Sequence, residues 1–207
     1  MNIKNFIFLA VISHVATLPA MFKARCSPFS SAQKNEMREA VYDLIDGAKK
    51  SLLVSMFTFT DKQAARKLSL AKARGVDVRV IIDHVSSGKK YLIKDMLEEF
   101  EVSILVFNKS NAMNHNKYVV ADNDKTWISS MNWTDSAYHK NCESGVLLYS
   151  KAVASFYAND FKHTQKLIKN QREHENNERK ECLRLLSIER KKYKEALIEI
   201  NKSKKNK

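Results

Sequence analysis

Three short apolar runs set the class of fold this chain can reach. SLLVSMFTF (51–59), VDVRVIIDH (76–84) and VSILVFN (102–108) are rich in β-branched and aromatic residues, the composition of strands covered on both faces. DKQAARKLSLAKARG (61–75) lies between the first two. Its apolar residues recur at helical spacing, Asp61 stands where an N-cap belongs, and Gly75 stands where a helix stops. A second helix is expected over about 89–100. Another is expected from Asn35 to Lys49, where Met37, Ala40, Val41, Leu44 and Ile45 share one face. Strand, helix, strand, helix, strand is the order in which crossover helices join neighbouring parallel strands.

Three more strands are expected at KYVVAD (117–122), TWISSM (126–131) and SGVLLY (144–149). The Asp122-Asn123-Asp124-Lys125 link reads as a hairpin turn. Ser27 to Lys34 reads as a polar lead-in, and a helix is expected from about Lys151 to Lys169. The expected fold class is α/β: a layered α/β/α sandwich with a mixed, largely parallel sheet, plus a C-terminal helical tail. The expected organisation is a leader over 1–26, a globular domain over 27–169 and a basic helical tail over 170–207.

The leader, MNIKNFIFLAVISHVATLPAMFKARC, has a lysine, an apolar run from Phe6 to about Ala20 and small residues, the layout of a secretory signal. Leu18 stands where a small residue belongs ahead of a cut after Ala20, and Ser13, His14 and Thr17 interrupt the run. The expectation is export, periplasmic or secreted; retention as a membrane anchor is the alternative. The three cysteines, Cys26, Cys142 and Cys182, are too few for a disulfide framework and have no metal-ligand spacing. Cys142 is expected to be a small buried residue of a core strand.

The net charge of +13 is unevenly distributed. From Lys162 onward there are fifteen Lys and Arg against seven Glu, whereas Ser27 to Phe161 holds eighteen against sixteen acidic residues. A basic tail suits an anionic partner, nucleic acid or an anionic membrane; a solvated Lys-rich helix is the alternative. Leu183, Leu186, Arg190, Tyr193, Leu197 and Ile200 step by three and four, a short heptad seam interrupted by Arg190. It fits a coiled coil with a second copy, or a single amphipathic helix packed on its own domain.

The chemistry concentrates in MNHNKYVVADNDKTWISSMNW (113–133). In a strand, residues two apart share a face, so His115 and Lys117 project side by side, and Ser130 and Asn132 do the same from the next strand. One neutral imidazole with hydrogen-bond donors and a cation suits a phosphoryl group: the donors hold the non-bridging oxygens and the histidine meets the phosphorus. The set offers nothing to bind a metal, and no cofactor is expected. His-x-Lys alone carries little information. The joint spacing carries more: His115-x-Lys117, four residues, Asp122, six residues, then Ser129-Ser130-x-Asn132.

This spacing resembles the HKD motif of the phospholipase D superfamily, and is similar to its small single-motif members: secreted bacterial nucleases, rickettsial-type phospholipases D and mitochondrial cardiolipin hydrolases. The resemblance covers about Asn35 to Lys169, including RGVDVRVIID (74–83), SMNWT (130–134) and NCESGVLL (141–148). It implies a phosphodiesterase in which His115 forms a phosphohistidine, Lys117, Ser130 and Asn132 hold the phosphate oxygens, and Glu143 orients the histidine. Asp122 is expected to hold the hairpin. Ser129 stands where the family has glycine, which puts room for the phosphate in question. One motif is half a site, and the resemblance implies a homodimer that shares one active site across a two-fold axis.

The substrate is either nucleic acid, cut by a non-specific endonuclease, or an anionic phospholipid, hydrolysed at its head group by a protein in contact with a membrane surface. An inactive phosphate-binding homologue, suggested by Ser129 alone, is the remaining reading. His84, at the end of a strand, is a candidate for lining the cleft. His139 is expected at the surface or rim. Phe57 and Trp133 are expected to pack beneath the site or to stack on a base.

Overall fold

The computed structural model describes residues 24–86 and 93–205. Most of the expected leader lies outside the described residues. Arg25 and Cys26 begin strand β1 (Arg25–Ser30), so the start of the segment read as a polar lead-in is part of the sheet. Helix α1 (Lys34–Gly47) follows, then β2 (Ser51–Met56), α2 (Lys62–Ala73), β3 (Asp77–Asp83), α3 (Ile93–Glu99) and β4 (Ser103–Phe107). After these come β5 (Lys117–Ala121), β6 (Lys125–Ser129), the short α4 (Asp135–His139), β7 (Ser144–Tyr149) and α5 (Lys151–Lys205).

Local chemistry sets these boundaries. Asp61 caps α2, its Oδ1 accepting the amides of Gln63 and Ala64 at 2.8 and 3.1 Å. Its other oxygen accepts the hydroxyls of Tyr42 from α1 and Tyr138 from α4, at 2.7 and 2.6 Å. Burial, reinforced by the Asp61 charge, pushes both phenols above their ordinary value and keeps them as donors. Gly75 ends the α2 segment at φ +88°, a conformation that costs glycine little.

Among the described residues, seven strands form one sheet in the order β1-β7-β6-β5-β2-β3-β4. The fold class is α/β with a mixed sheet, as expected, but the sheet is not largely parallel. Only β2, β3 and β4 pair in parallel; β5, β6, β7 and β1 are added antiparallel. The reason lies in the connections. Crossover helices return the chain in the same direction between β2 and β4, whereas the three-residue link after β5 reverses it and the longer link after β6 brings β7 back antiparallel beside β6.

The main core fills one face of the sheet, where α1 to α4 pack on Leu52, Val54, Val80, Ile82, Val119 and Trp127. Tyr118 points to the other face, against α5. Its ring lies 4.9 Å from that of Tyr157, and its hydroxyl donates to Asp160 at 2.9 Å. Residues up to Gln165 form one compact unit and residues from Lys166 a second. In the second unit Leu183, Leu185, Leu186 and Tyr193 are exposed. No helix among the described residues is long and apolar enough to cross a membrane.

The β5–β6 hairpin turns at Asp122 and Asn123, with φ of 54° and 55°. The Asp124 amide closes the turn onto the Ala121 carbonyl at 3.1 Å, and Asp and Asn tolerate the left-handed pair. The Asp122 carboxylate accepts the amides of Lys49, Lys50 and Ser51 at 2.7 to 3.1 Å, tying the hairpin to the start of β2. Partial burial works to raise its pKa. The amide donors, with Lys125, outweigh it and hold the carboxyl below the ordinary value.

Candidate active site

The site forms where β5 enters the sheet between β2 and β6. The residue ahead of His115 is anchored first. Asn114 is buried, and its amide donates at 2.8 Å to Asp83, itself fully buried at the end of β3. The Asn114 side chain meets the Ser55 hydroxyl of β2 at 3.2 Å. His115 follows as an exposed residue just before β5, and Lys117 as a buried one at its start. Lys117 Nζ donates to the His115 carbonyl at 2.7 Å and lies 5.1 Å from the centre of the Phe57 ring. The imidazole lies against the same ring, with centroids 4.6 Å apart. Burial lowers the Lys117 pKa, and the nearby Glu143 charge opposes that shift.

Ser130 and Asn132 lie just beyond the end of β6 rather than within a strand that continues to residue 131. Ser130 is held in register by its amide, which donates to the Ser144 carbonyl at 2.9 Å. Its hydroxyl donates to Glu143, and the other Glu143 oxygen accepts the Asn141 side-chain amide at 3.1 Å. Ser31, which follows β1, clamps the Glu143 backbone: its hydroxyl accepts the Glu143 amide at 2.5 Å and donates to the Glu143 carbonyl at 2.9 Å. Asn132 Oδ1 accepts the Thr58 amide at 3.2 Å, so its NH2 group stays available as a donor.

The short extension of β2 joins the two halves. Phe57 donates its amide to the Asn116 carbonyl at 2.9 Å, and the Thr58 carbonyl accepts the Trp133 amide at 3.1 Å. His115, Lys117, Ser130, Asn132 and Glu143 thus gather at one end of the sheet. The cluster holds one imidazole, one buried cation, a hydroxyl, an amide and a carboxylate. It can cradle an anion and present a nucleophile to it.

Glu143 sits beside the cluster, its charge acting on Lys117. Its carboxylate engages Ser130 and Asn141, while the ring contact of His115 is with Phe57.

The departure at Ser129 is absorbed locally. Its hydroxyl accepts the Trp127 indole N–H at 3.1 Å and lies 3.4 Å from the Met131 carbonyl, on the Trp127 side of β6. Its cross-strand partner is Gly145, where an added Cβ would come within 2.7 Å of the Trp127 ring and 3.1 Å of Ser129 Cβ. A glycine sits opposite Ser129, and the serine hydroxyl is engaged by the Trp127 indole.

His84 pairs with Asp83 at 2.9 Å, which places it at the same end of the sheet and one link from Asn114. His139 is exposed, 3.6 Å from Asp135 on α4. Trp133 is wholly buried, edge-on to Phe59 with ring centres 4.8 Å apart, and belongs to the core. All three cysteines are free and exposed. Cys142 therefore corrects the expectation of a buried strand residue: β7 starts only at Ser144, and Cys142 faces outward between Asn141 and Glu143. Sequence reasoning missed Ser31 and Asn141. The Asn141-x-Glu143 spacing offers a weak signal for the second, and nothing marks the first.

Residues 41–165 match the family described as cardiolipin synthase, PLD-like domain. The chain is 26% identical over 113 residues to a phospholipase D of Rickettsia conorii, covering 55% of this chain and 56% of that protein. It is 30% identical over 117 residues to the mitochondrial cardiolipin hydrolase of Xenopus tropicalis, covering 55% and 54%. The matches thus span little more than half the length of these relatives. Among solved structures, NucT from Helicobacter pylori superposes with a TM-score of 0.63 at 17% identity, covering 70% of this chain and 97% of that one. Nuc from Salmonella typhimurium, described as a phospholipase D family member, superposes with 0.62 at 24% identity, covering 70% and 95%. These likenesses are of fold.

Proposed function

The chain belongs to the cardiolipin synthase, PLD-like domain family, and from that premise we propose that it is a phosphodiesterase acting through His115. The observation that carries the reading is the pairing of an exposed imidazole with a buried Lys117 ammonium 2.7 Å from the His115 carbonyl, beside Ser130 and Asn132. In the first step an imidazole nitrogen bonds to phosphorus, the bond to the leaving oxygen breaks, and a general acid protonates that oxygen. Lys117 and the Asn132 NH2 group stabilise charge on the non-bridging oxygens, and the Ser130 hydroxyl joins them when its proton turns from Glu143 to the phosphate. In the second step water attacks the phosphohistidine, the N–P bond breaks, and the acid of the first step takes the water's proton.

The leaving oxygen lies opposite the nucleophile and needs its own acid. We assign that role to His115 of a second copy related by a two-fold axis. In chains mixed equally with His115→Ala, heterodimers lacking turnover are the expected outcome; heterodimers as active as wild type would refute the shared site.

We propose nucleic acid as the substrate, with non-specific cleavage. Fifteen Lys and Arg against seven Glu from Lys162 onward supply backbone affinity that requires no sequence readout. A phospholipid substrate is the second reading, supported by the relatives named phospholipase D and cardiolipin hydrolase. Full-length protein is incubated with single-stranded DNA and with cardiolipin-containing liposomes, in excess EDTA, with His115→Ala alongside. DNA cutting that resists EDTA and is lost in the variant is expected. Head-group release without DNA cutting would transfer the assignment to phospholipid, and loss of all activity in EDTA would overturn the histidine mechanism.

A further inference from the structure

We propose that Phe57 is a positioning residue for the phosphodiesterase site, its ring holding the His115 imidazole and the Lys117 ammonium in one fixed arrangement. The inference rests on the phosphodiesterase reading and names a residue outside the His-x-Lys and Ser-x-Asn pattern.

His115 needs such support. It is exposed, and among the described residues its contacts are the acceptance of the Lys117 ammonium by its carbonyl and the packing of its ring on Phe57. An exposed imidazole without a hydrogen-bond partner samples several rotamers, whereas in-line attack needs one. Phe57 restricts that choice from one side at 4.6 Å between ring centres. The same ring has the Lys117 ammonium 5.1 Å from its centre, within the range in which an aromatic face attracts a cation. One ring therefore sets the spacing between nucleophile and cation.

Phe59, two residues beyond Phe57, is fully buried and lies edge-on to Trp133. Phe57 is half-buried, with its ring against His115 and near the Lys117 ammonium. Its backbone is nevertheless held firmly, since its amide donates to the Asn116 carbonyl between His115 and Lys117 at 2.9 Å. A large apolar side chain left half-exposed and fixed against two reactive residues is placed for the site.

The test uses the full chain with bis(4-nitrophenyl) phosphate, a phosphodiester that favours neither substrate class, and compares Phe57→Leu with Phe57→Tyr. Leucine keeps apolar bulk and removes the ring; tyrosine keeps the ring. Phe57→Leu is expected to lower kcat by about tenfold or more with KM changed by less than about twofold, the pattern of misplaced reacting groups. Phe57→Tyr is expected to keep wild-type kcat. Proton NMR of the imidazole rings supplies a readout that does not depend on turnover. The His115 ring protons should be displaced by the ring current of Phe57 in wild type and Phe57→Tyr, and should return to ordinary histidine positions in Phe57→Leu. Wild-type kcat in Phe57→Leu, an equal loss in Phe57→Tyr, or His115 resonances indifferent to the ring would each overturn the proposal. Wild-type protein inert on the phosphodiester would overturn the phosphodiesterase reading instead, and the resonances would still decide whether the ring holds the imidazole.

Discussion

Gly145→Ala is the sharpest test of how this chain tolerates serine where its family has glycine. A Cβ at 145 would lie 2.7 and 2.9 Å from two carbons of the Trp127 ring and 3.1 Å from Ser129 Cβ. Carbon atoms settle at about 3.5–4.0 Å, so the ring must withdraw by about 1 Å. It has little freedom to do so. Trp127 is wholly buried, packs edge-on to Phe29 of β1 with centroids 5.3 Å apart, and donates to Ser129 at 3.1 Å. Overpacking costs about 1–3 kcal/mol, and breaking the indole hydrogen bond adds about 1 kcal/mol, for a total of about 2–4 kcal/mol. For a body of this size that corresponds to a Tm lower by about 5–15 °C in a circular-dichroism melt. Gly47→Ala is the control. It meets open space at the end of α1, and its stability should stay within about 1 kcal/mol of wild type. A Tm for Gly145→Ala within about 2 °C of wild type would refute the reasoning, because it would mean that the β6–β7 pair yields where the packing says it cannot.

Three further outcomes follow from the site and its supports. Asp122→Asn keeps the left-handed turn but weakens a carboxylate that accepts three amides; a loss of about 1–2 kcal/mol at neutral pH is expected in urea unfolding, discounted for partial exposure. Since the folded pKa lies below the unfolded one, that contribution is complete above about pH 4 and fades as pH falls through the folded value, so the gap to wild type should close in acid; a pH-independent gap would assign the effect to something other than the charge. Burial lowers the Lys117 pKa, so activity should decline on the alkaline side at a pH below the ordinary lysine value. In Lys117→Arg, whose guanidinium stays charged, that limb should vanish from the pH profile, and its persistence would place it on another group. Replacing Lys191, Lys192 and Lys194 by Glu should flatten the salt dependence of DNA binding, measured by fluorescence anisotropy, by about one unit of slope for each phosphate no longer neutralised; an unchanged slope would exclude this stretch from the nucleic-acid surface.

Much of this architecture is legible in the linear order of residues because its causes are local. Asp61 caps α2 with its own carboxylate two and three residues ahead, Gly75 takes a positive φ after it, and Asp122-Asn123 supply the left-handed pair of the hairpin turn. The parallel β2–β3–β4 register follows from the helices between those strands. The balance of the sheet is less legible. Helical and strand periods say what an element is, not which neighbour it chooses, so beyond the β5–β6 hairpin the antiparallel joins of β5 to β2, β7 to β6 and β1 to β7 are read from pairing alone. The strand at Arg25–Ser30 escapes pattern reading because Ser27, Pro28 and Ser30 make it look like a loop; its pairing with β7 makes it an edge strand, where proline is tolerated.

The candidate site divides along the same line. Spacing by itself determined which residues are brought together: His115 and Lys117 at the entrance of one strand, Ser130 and Asn132 just past the end of the next, and Asp122 in the turn between them. Those relations follow from a two-residue strand period and a short hairpin, and they hold in any register that keeps the hairpin. Only the tertiary structure decided what each side chain touches. Glu143 meets Ser130 and Asn141 because β7 lies against β6. Ser129 turns to Trp127 because Gly145 leaves room across the strand. Phe57 reaches both His115 and Lys117 because β2 lies beside β5 in the sheet. Contacts across strands depend on sheet order and on the volume of a facing residue, and neither is written in the period of the chain that makes them.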